Sequence, residues 1–247
     1  MMPLTVIEIL GRSQEGRTEP YICRCDDGEI YFVKGKAATR RGLIAEWLCA
    51  ELGSQLGLPI APYAIATVPD ELIEADLSGA YQDLGRGHAF ASSRIGTTEL
   101  NRTHLSYIPL SLRRDVLLFD WWINNADRNM TEVGGNPNLL WKPTEVGKLV
   151  IIDHNLAFDP DFDPAEFFRM HVFSSEAEAL FADLQLRDAY HLRLTAALKY
   201  WPGICDTLPE EWDFIDAEQT IPAHFPFKAV KTLLDRVSTD VFWQIPS

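Results

Sequence analysis

The run Tyr-Ile-Cys-Arg-Cys-Asp-Asp-Gly-Glu-Ile-Tyr-Phe-Val-Lys, from Tyr21 to Lys34, constrains the fold more than any other stretch of the chain. Apolar and polar residues alternate on both sides of Asp27-Gly28, and a period of two around an Asp-Gly turn is the pattern of a β-hairpin. Other strand-like runs surround it. Thr5–Leu10 is apolar and β-branched, Ile60–Val68 is a short extended run beginning among Pro59 and Pro62, and His88–Ile95 is a further apolar piece. One helix is expected from Thr39 to Leu56, because Leu43, Ile44, Leu48, Leu52 and Leu56 recur at helical spacing and Gly57 ends the pattern. Asp70–Arg86 is acidic and weakly periodic, and reads as a surface excursion.

After Leu105 the period changes. Arg113–Asn125 reads as a strongly apolar helix, and helical patterns also dominate Ser175–Leu198 and His224–Val237. A β-rich first third followed by a helical remainder predicts an α+β protein of two lobes, with the crossing near Ala91–Gly96. Residues 1–92 would form a small N-lobe of antiparallel sheet plus one helix, and residues 93–247 a mainly helical C-lobe.

Composition removes several function classes. A formal net charge of −14 works against direct binding of nucleic acid, whose phosphates reward Lys and Arg, and against an anionic membrane surface. It does not oppose a single nucleotide, which one lysine, backbone N–H groups and a metal ion can hold. No apolar run approaches the roughly 18 residues of a membrane span. The N-terminus lacks the basic start and apolar stretch of a signal peptide, so a cytoplasmic location is expected. Cys23, Cys25, Cys49 and Cys205 show neither a disulfide framework nor zinc spacing, and read as reduced thiols.

Three separated pieces carry chemistry. In Tyr31-Phe32-Val33-Lys34 a lysine ends an apolar strand, and Glu46 follows in the next helix. A lysine that must meet phosphate oxygens is a point charge on a flexible stem, and a carboxylate partner fixes its direction. Lys36 competes with Lys34, since strand alternation would put both on one face. The second piece runs from Phe119-Asp120-Trp121-Trp122 through Asn125-Ala126-Asp127-Arg128-Asn129 to Asn136-Pro137-Asn138-Leu139-Leu140. Here an apolar helix gives way to a loop with an aspartate that can orient a hydroxyl and an amide oxygen that can hold a metal. In the third, Leu149-Val150-Ile151-Ile152 delivers Asp153 at the exit of a buried-type strand, where a hard carboxylate suits magnesium. The neighbouring His154 reads as structural. Strand lysine, helix glutamate, Asp…Asn loop and strand-end Asp is the order of parts a kinase needs.

On these stretches the chain resembles the HipA-like kinases, bacterial Ser/Thr kinases of protein-kinase and lipid-kinase type, over roughly Leu4 to Phe158. The most specific runs are Ile-Asn-Asn-Ala-Asp-Arg…Asn-Pro-Asn-Leu-Leu and Ile-Ile-Asp-His-Asn-Leu-Ala-Phe. The resemblance implies a two-lobed protein-kinase-like fold and an ATP- and Mg2+-dependent phosphotransferase acting on a hydroxyl, a protein Ser or Thr first. A lipid or small-molecule acceptor, or a catalytically weak ATP-binding regulatory module, are the alternatives. It implies Asp127 as catalytic aspartate, Asn138 and Asp153 as metal ligands, Lys34 as phosphate contact with Glu46 as its ion-pair partner, and Phe90-Ala91-Ser92 as the hinge that holds adenine. It also points to a protein substrate, an antitoxin-like regulatory partner, and self-modification at Ser13 or Thr18. Two departures stand out. Met130–Gly135 lengthens the loop, which leaves Asn129 and Asn136 as rival metal ligands, and the nucleotide loop Gly11–Gly16 has only two glycines.

Overall fold

The computed structural model describes residues 3–13, 19–131, 134–143, 148–216 and 218–245. The chain divides into two compact units: Met1–Trp47 with Ala61–Ile95 and Thr207–Phe225, and Leu48–Ile60 with Gly96–Asp206 and Pro226–Ser247.

The first unit is built on strands β1 (Leu4–Arg12), β2 (Tyr21–Cys25) and β3 (Ile30–Lys34), the first half of helix α1 (Thr39–Gln55), β4 (Tyr63–Val68), the short helix α2 (Asp70–Glu74) and β5 (Gly87–Ser93). The hairpin forms as its alternation requires, with Tyr21 opposite Val33 and Cys23 opposite Tyr31. Gly28 takes the turn at φ 86°, a conformation that costs glycine little. Tyr21, Cys23, Cys25, Tyr31 and Val33 then share one face and enter the core with Val6, Ala66, Val68, Ala89 and Ala91. Burial pushes the Cys23 and Cys25 thiols up to about 12, which keeps them inert packing groups.

The expected antiparallel sheet is instead a closed barrel, in the order β1-β2-β3-β5-β4. Closure comes from a parallel pairing of β1 with β4, Leu4 to Ala66 and Thr5 to Thr67. Parallel strands need a long crossover, here two strands and a helix, and local periodicity carries no trace of it. Register shifts between Val6 and Glu8 and between Ile9 and Gly11 add the twist that a barrel this small requires. The supposed surface excursion also has a structural task. Leu84 is buried with the barrel core, and the Tyr21 hydroxyl donates to the Ala80 carbonyl at 2.7 Å.

Residues 207–225 belong to this unit through Trp212, fully buried, whose indole donates to the His88 carbonyl at 3.0 Å. Glu211 accepts the His88 N–H at 2.5 Å. Gly87 opens β5 at φ 88°, a backbone that strains any other residue, and a Cβ there would meet the Glu211 carboxylate at 2.8 Å and displace it.

The second unit holds a three-stranded sheet, β6 (Thr98–Glu99), β7 (Leu139–Trp141) and β8 (Leu149–Ile151), together with helices α3 (Leu110–Trp122), α4 (Pro164–Met170), α5 (Ala177–Ala182), α6 (Leu184–Leu198), α7 (Trp201–Cys205) and α8 (Phe227–Asp235). The helix expected over Ser175–Leu198 breaks at Asp183, whose carboxylate caps α6 by accepting from the N–H groups of Gln185 and Leu186. Ile60, expected to begin a strand, forms a parallel bridge to Ile151 instead.

The centre of this unit is the second half of α3, buried without interruption from Val116 to Trp122. Its end is tied down from the C-terminal segment. The Trp121 indole donates to the Phe242 carbonyl at 2.9 Å and that of Trp122 to the Leu234 carbonyl at 2.8 Å. Arg236 donates to the Trp121 carbonyl and to Asn124 Oδ1, and lies 4.7 Å over the Trp121 ring. A cation at a helix C-terminus meets the negative end of the macrodipole. Burial lowers the Arg236 pKa to about 10, so it stays charged at neutral pH. No helix among the described residues is long and apolar enough to cross a membrane.

Candidate active site

In the first unit, Val33 points into the barrel and strand alternation turns Lys34 outward. Its ammonium pairs with the Glu46 carboxylate on α1. The side chains are 10% and 2% exposed, so both charges are largely out of water and each depends on the other. Lys36 does not share the face of Lys34, because β3 ends at Lys34 and Lys36 starts a turn of 3-10 helix. Of the two, Lys34 is the one paired with Glu46.

The hinge residues expected at Phe90-Ala91-Ser92 lie on β5. β5 lies between β3 and β4, and all three residues have ladder partners on both sides: Lys34, Val33 and Phe32 on one, Ile65, Ala64 and Tyr63 on the other. Residues 14–18, which include Thr18 and half of the expected nucleotide loop, lie outside the described residues. Ser13 is buried, and its N–H donates to the Pro20 carbonyl at 2.8 Å.

The second unit assembles the other candidates around one guanidinium. After α3, Asn124 at φ 49° reverses the chain, and Asp127 and Arg128 run back past the helix end. Arg128 is fully buried. Its Nε donates to Asp120 Oδ2 at 2.6 Å, and its Nη1 reaches the carbonyls of Asn138 at 2.5 Å, Pro137 at 3.2 Å and Ile152 at 3.3 Å. One side chain thus clamps the segment bearing Asn138 to the residue before Asp153. The Ile152 N–H, donating to the Asn138 carbonyl at 3.2 Å, closes the same junction.

The asparagine rivals take the following partners. Thr131 and Gly134 bond to each other through main chain and the Thr131 hydroxyl. Asn129 Oδ1 accepts the Asn136 N–H at 3.2 Å, and a Cβ on Gly135 would meet the Asn129 carbonyl at 2.6 Å. Asn138 donates its amide to the Asp127 carbonyl at 3.0 Å and to Asp127 Oδ2 at 3.1 Å, and Asn136 donates to the same Oδ2 at 3.3 Å. A carboxylate only accepts, so both amides turn their NH2 groups to Asp127 and their oxygens away.

Asn138, Asp153 and Phe158 also hold positive φ, at 48°, 59° and 58°. Such backbone costs energy, most of all at Phe158, and tends to collect where function over-determines the geometry. No group of three or more His, Cys, Asp or Glu among the described residues could hold a metal ion. The donors expected for a metal are the Asp153 carboxylate and the Asn138 amide oxygen. These are hard ligands and few in number, which fits a magnesium-type ion.

The profile of the HipA-like kinases matches residues 6–246. The chain is a member of the HipA-like kinase family. Among solved structures, the crystal structure of a Helicobacter pylori proinflammatory kinase, CtkA, shares 14% identity with a TM-score of 0.46, covering 98% of this chain and 94% of that one. No curated protein sequence matches.

Sequence reasoning about this HipA-like kinase missed Asp120 and His171. Asp120 lies on the last turn of α3 and takes three donors, from Arg128, from His171 Nε2 at 3.0 Å and from Asn125 at 2.9 Å. Burial alone would raise its pKa, but Arg128 and His171 outweigh burial and hold it well below the carboxylate range. His154 accepts from Arg128 Nη2 at 3.3 Å, since guanidinium can only donate, and is buried as expected of a structural neighbour. The one advance signal was a pair of opposite charges, Asp120 and Arg128, bracketing a helix end.

Burial lowers the pKa of His171, and Arg128 adds to the effect against the pull of Asp120. The unfolded chain therefore takes up this proton more readily than the folded one, so stability rises with pH through the window below about 6.5. The depressed carboxylate of Asp120 adds stability that is present above about 4 and lost as pH falls further. Calorimetric melting temperatures should be level between about pH 7 and 8, decline below about 6.5 and fall more steeply below about 4. A curve that stays level down to pH 4 contradicts this.

Proposed function

We propose that this HipA-like kinase uses ATP and Mg2+ to phosphorylate a protein Ser or Thr hydroxyl in the cytoplasm. Residues 1–92 supply the nucleotide clamp, and residues 93–247 the catalytic loop and the metal-binding aspartate. Asp127 accepts and orients the hydroxyl, while Asn138 and Asp153 hold the metal. Lys34, aimed by Glu46, meets phosphate oxygens, and the backbone of Phe90-Ala91-Ser92 meets the adenine edge. Bound magnesium supplies neutralisation of charge on the phosphate oxygens. What the chain contributes is fixed geometry around the transferred group, the main lever in phosphoryl transfer.

One observation carries the reading. Buried Arg128 bonds the carbonyls of Asn138 and Ile152, so the loop bearing Asp127, the segment bearing Asn138 and the strand end bearing Asp153 are held as one piece. A protein acceptor follows the family resemblance, as does an antitoxin-like partner, and the net charge of −14 disfavours an anionic lipid surface.

Incubation with γ-labelled ATP, with Mg2+ or with EDTA, tests the reading on protein, lipid and aminoglycoside acceptors. Label on protein, in the Mg2+ arm alone, is the expected result. Label on lipid or small molecules would replace the acceptor class, and tight ATP binding with no transfer would favour a regulatory module. In calorimetry, Asp153→Asn should weaken ATP binding by roughly tenfold or more with Mg2+ and leave it unchanged in EDTA. Equal loss in both arms would remove Asp153 from the metal.

A further inference from the structure

We infer that His171 is a positioning residue for phosphotransfer, holding Asp120 against Arg128 and thereby fixing the backbone that presents Asn138 and Asp153. The inference rests on the function proposed above. His171 lies just past α4, 3% exposed, with its ring centroid 4.9 Å from that of Phe167 and 6.0 Å from that of Phe173. An apolar side chain would fill such a place at no polar cost, whereas a buried imidazole needs both nitrogens satisfied.

Both are satisfied, and in one tautomer. Nδ1 accepts the Phe173 N–H at 3.1 Å, so the proton is on Nε2, which donates to Asp120 Oδ2 at 3.0 Å. That oxygen is the one that takes Arg128 Nε. Asn125 secures the other oxygen, so the carboxylate is held from both ends and its plane is set. The contact with Asp120 anchors the guanidinium at Nε, and from there Nη1 reaches the carbonyls of Pro137, Asn138 and Ile152. The backbone adds a second tie between the same segments. Asn129 and His171 form an antiparallel bridge, Met130 N–H donates to the Met170 carbonyl at 3.2 Å, and Val172 N–H to the Arg128 carbonyl at 3.1 Å. His171 is therefore attached to the Asp127 loop through main chain and side chain together. Partners that orient the groups around a reacting centre often matter nearly as much as those groups themselves.

The test compares His171→Gln with His171→Asn in the full chain. The amide of Gln reaches the place of Nε2 and keeps the donor to Asp120. That of Asn stops near Nδ1 and keeps only the contact to Phe173. Two readouts are taken: kcat and KM for ATP, and the NMR signal of the Arg128 Nε–H, which should be shifted by its charged acceptor. His171→Asn should lower kcat by about 10–100-fold with KM for ATP little changed and should move the Arg128 signal, while His171→Gln should restore both to within a few-fold of native. Equal behaviour of the two variants, or a native Arg128 signal in His171→Asn, would overturn the proposal. If the native protein transfers no phosphate, the proposed function fails, and the Arg128 signal still decides whether His171 positions the clamp. A Asn variant too unstable to assay leaves His171→Gln, whose loss of turnover despite a native fold would equally overturn it.

Discussion

Asp127→Asn should reduce phosphotransfer turnover by about 10³-fold, within the 10²–10⁴ that a positioned general base supplies. The change keeps the shape of the side chain. An amide oxygen placed where Oδ2 now lies can still accept from Asn136 and Asn138, so the loop has no reason to rearrange. What is lost is the negative charge and basicity facing the acceptor hydroxyl. Binding of ATP with Mg2+ should stay within about threefold of native, because an interaction made only with the acceptor in the transition state leaves ground-state affinity alone. Single-turnover transfer from γ-labelled ATP, together with calorimetry on the same preparation, checks both halves. Native turnover in this variant would remove Asp127 from the chemistry and with it the reading of the loop.

Arg128→Met should cost about 3–5 kcal/mol of folding stability, the range for breaking a buried ion pair from one side. Methionine fills much of the space, so packing is not the main loss. Asp120 would lose its charged partner in a fully buried site, and the carbonyls of Pro137, Asn138 and Ile152 would lose a donor. The double variant Asp120→Asn with Arg128→Met separates the two consequences. Removing the orphaned charge should recover part of the stability, whereas turnover should remain low because the clamp is still gone. Chemical denaturation and transfer assays on the three proteins provide the comparison. An unfolding midpoint for Arg128→Met equal to native would show that the clamp carries no stabilising charge pair.

The hairpin and the apolar half of α3 were legible because their periods are local properties. Alternation around Asp27-Gly28 puts Tyr21, Cys23, Tyr31 and Val33 on one face whatever follows. Barrel closure was not legible, since the pairing of Leu4 with Ala66 is between runs that look like any two strands. The same reason hid the surroundings of Phe90–Ser92. Their apolar character fits a strand, but only the sheet order shows neighbours on both sides. The break at Asp183 was missed because an apolar pattern continues across it, while the cap depends on where that carboxylate turns.

By itself, the sequence determined the order of the chemical groups and the family, because residue types at fixed spacings on short elements are written along the chain. The tertiary structure decided which lysine meets Glu46, which asparagines turn their amides to Asp127, and that Asp120, Arg128 and His171 form one buried unit. Those are choices among groups of equal chemistry. A buried donor or acceptor is committed by whatever partner the fold brings within hydrogen-bond reach, and such partners come from remote segments whose approach no local pattern encodes.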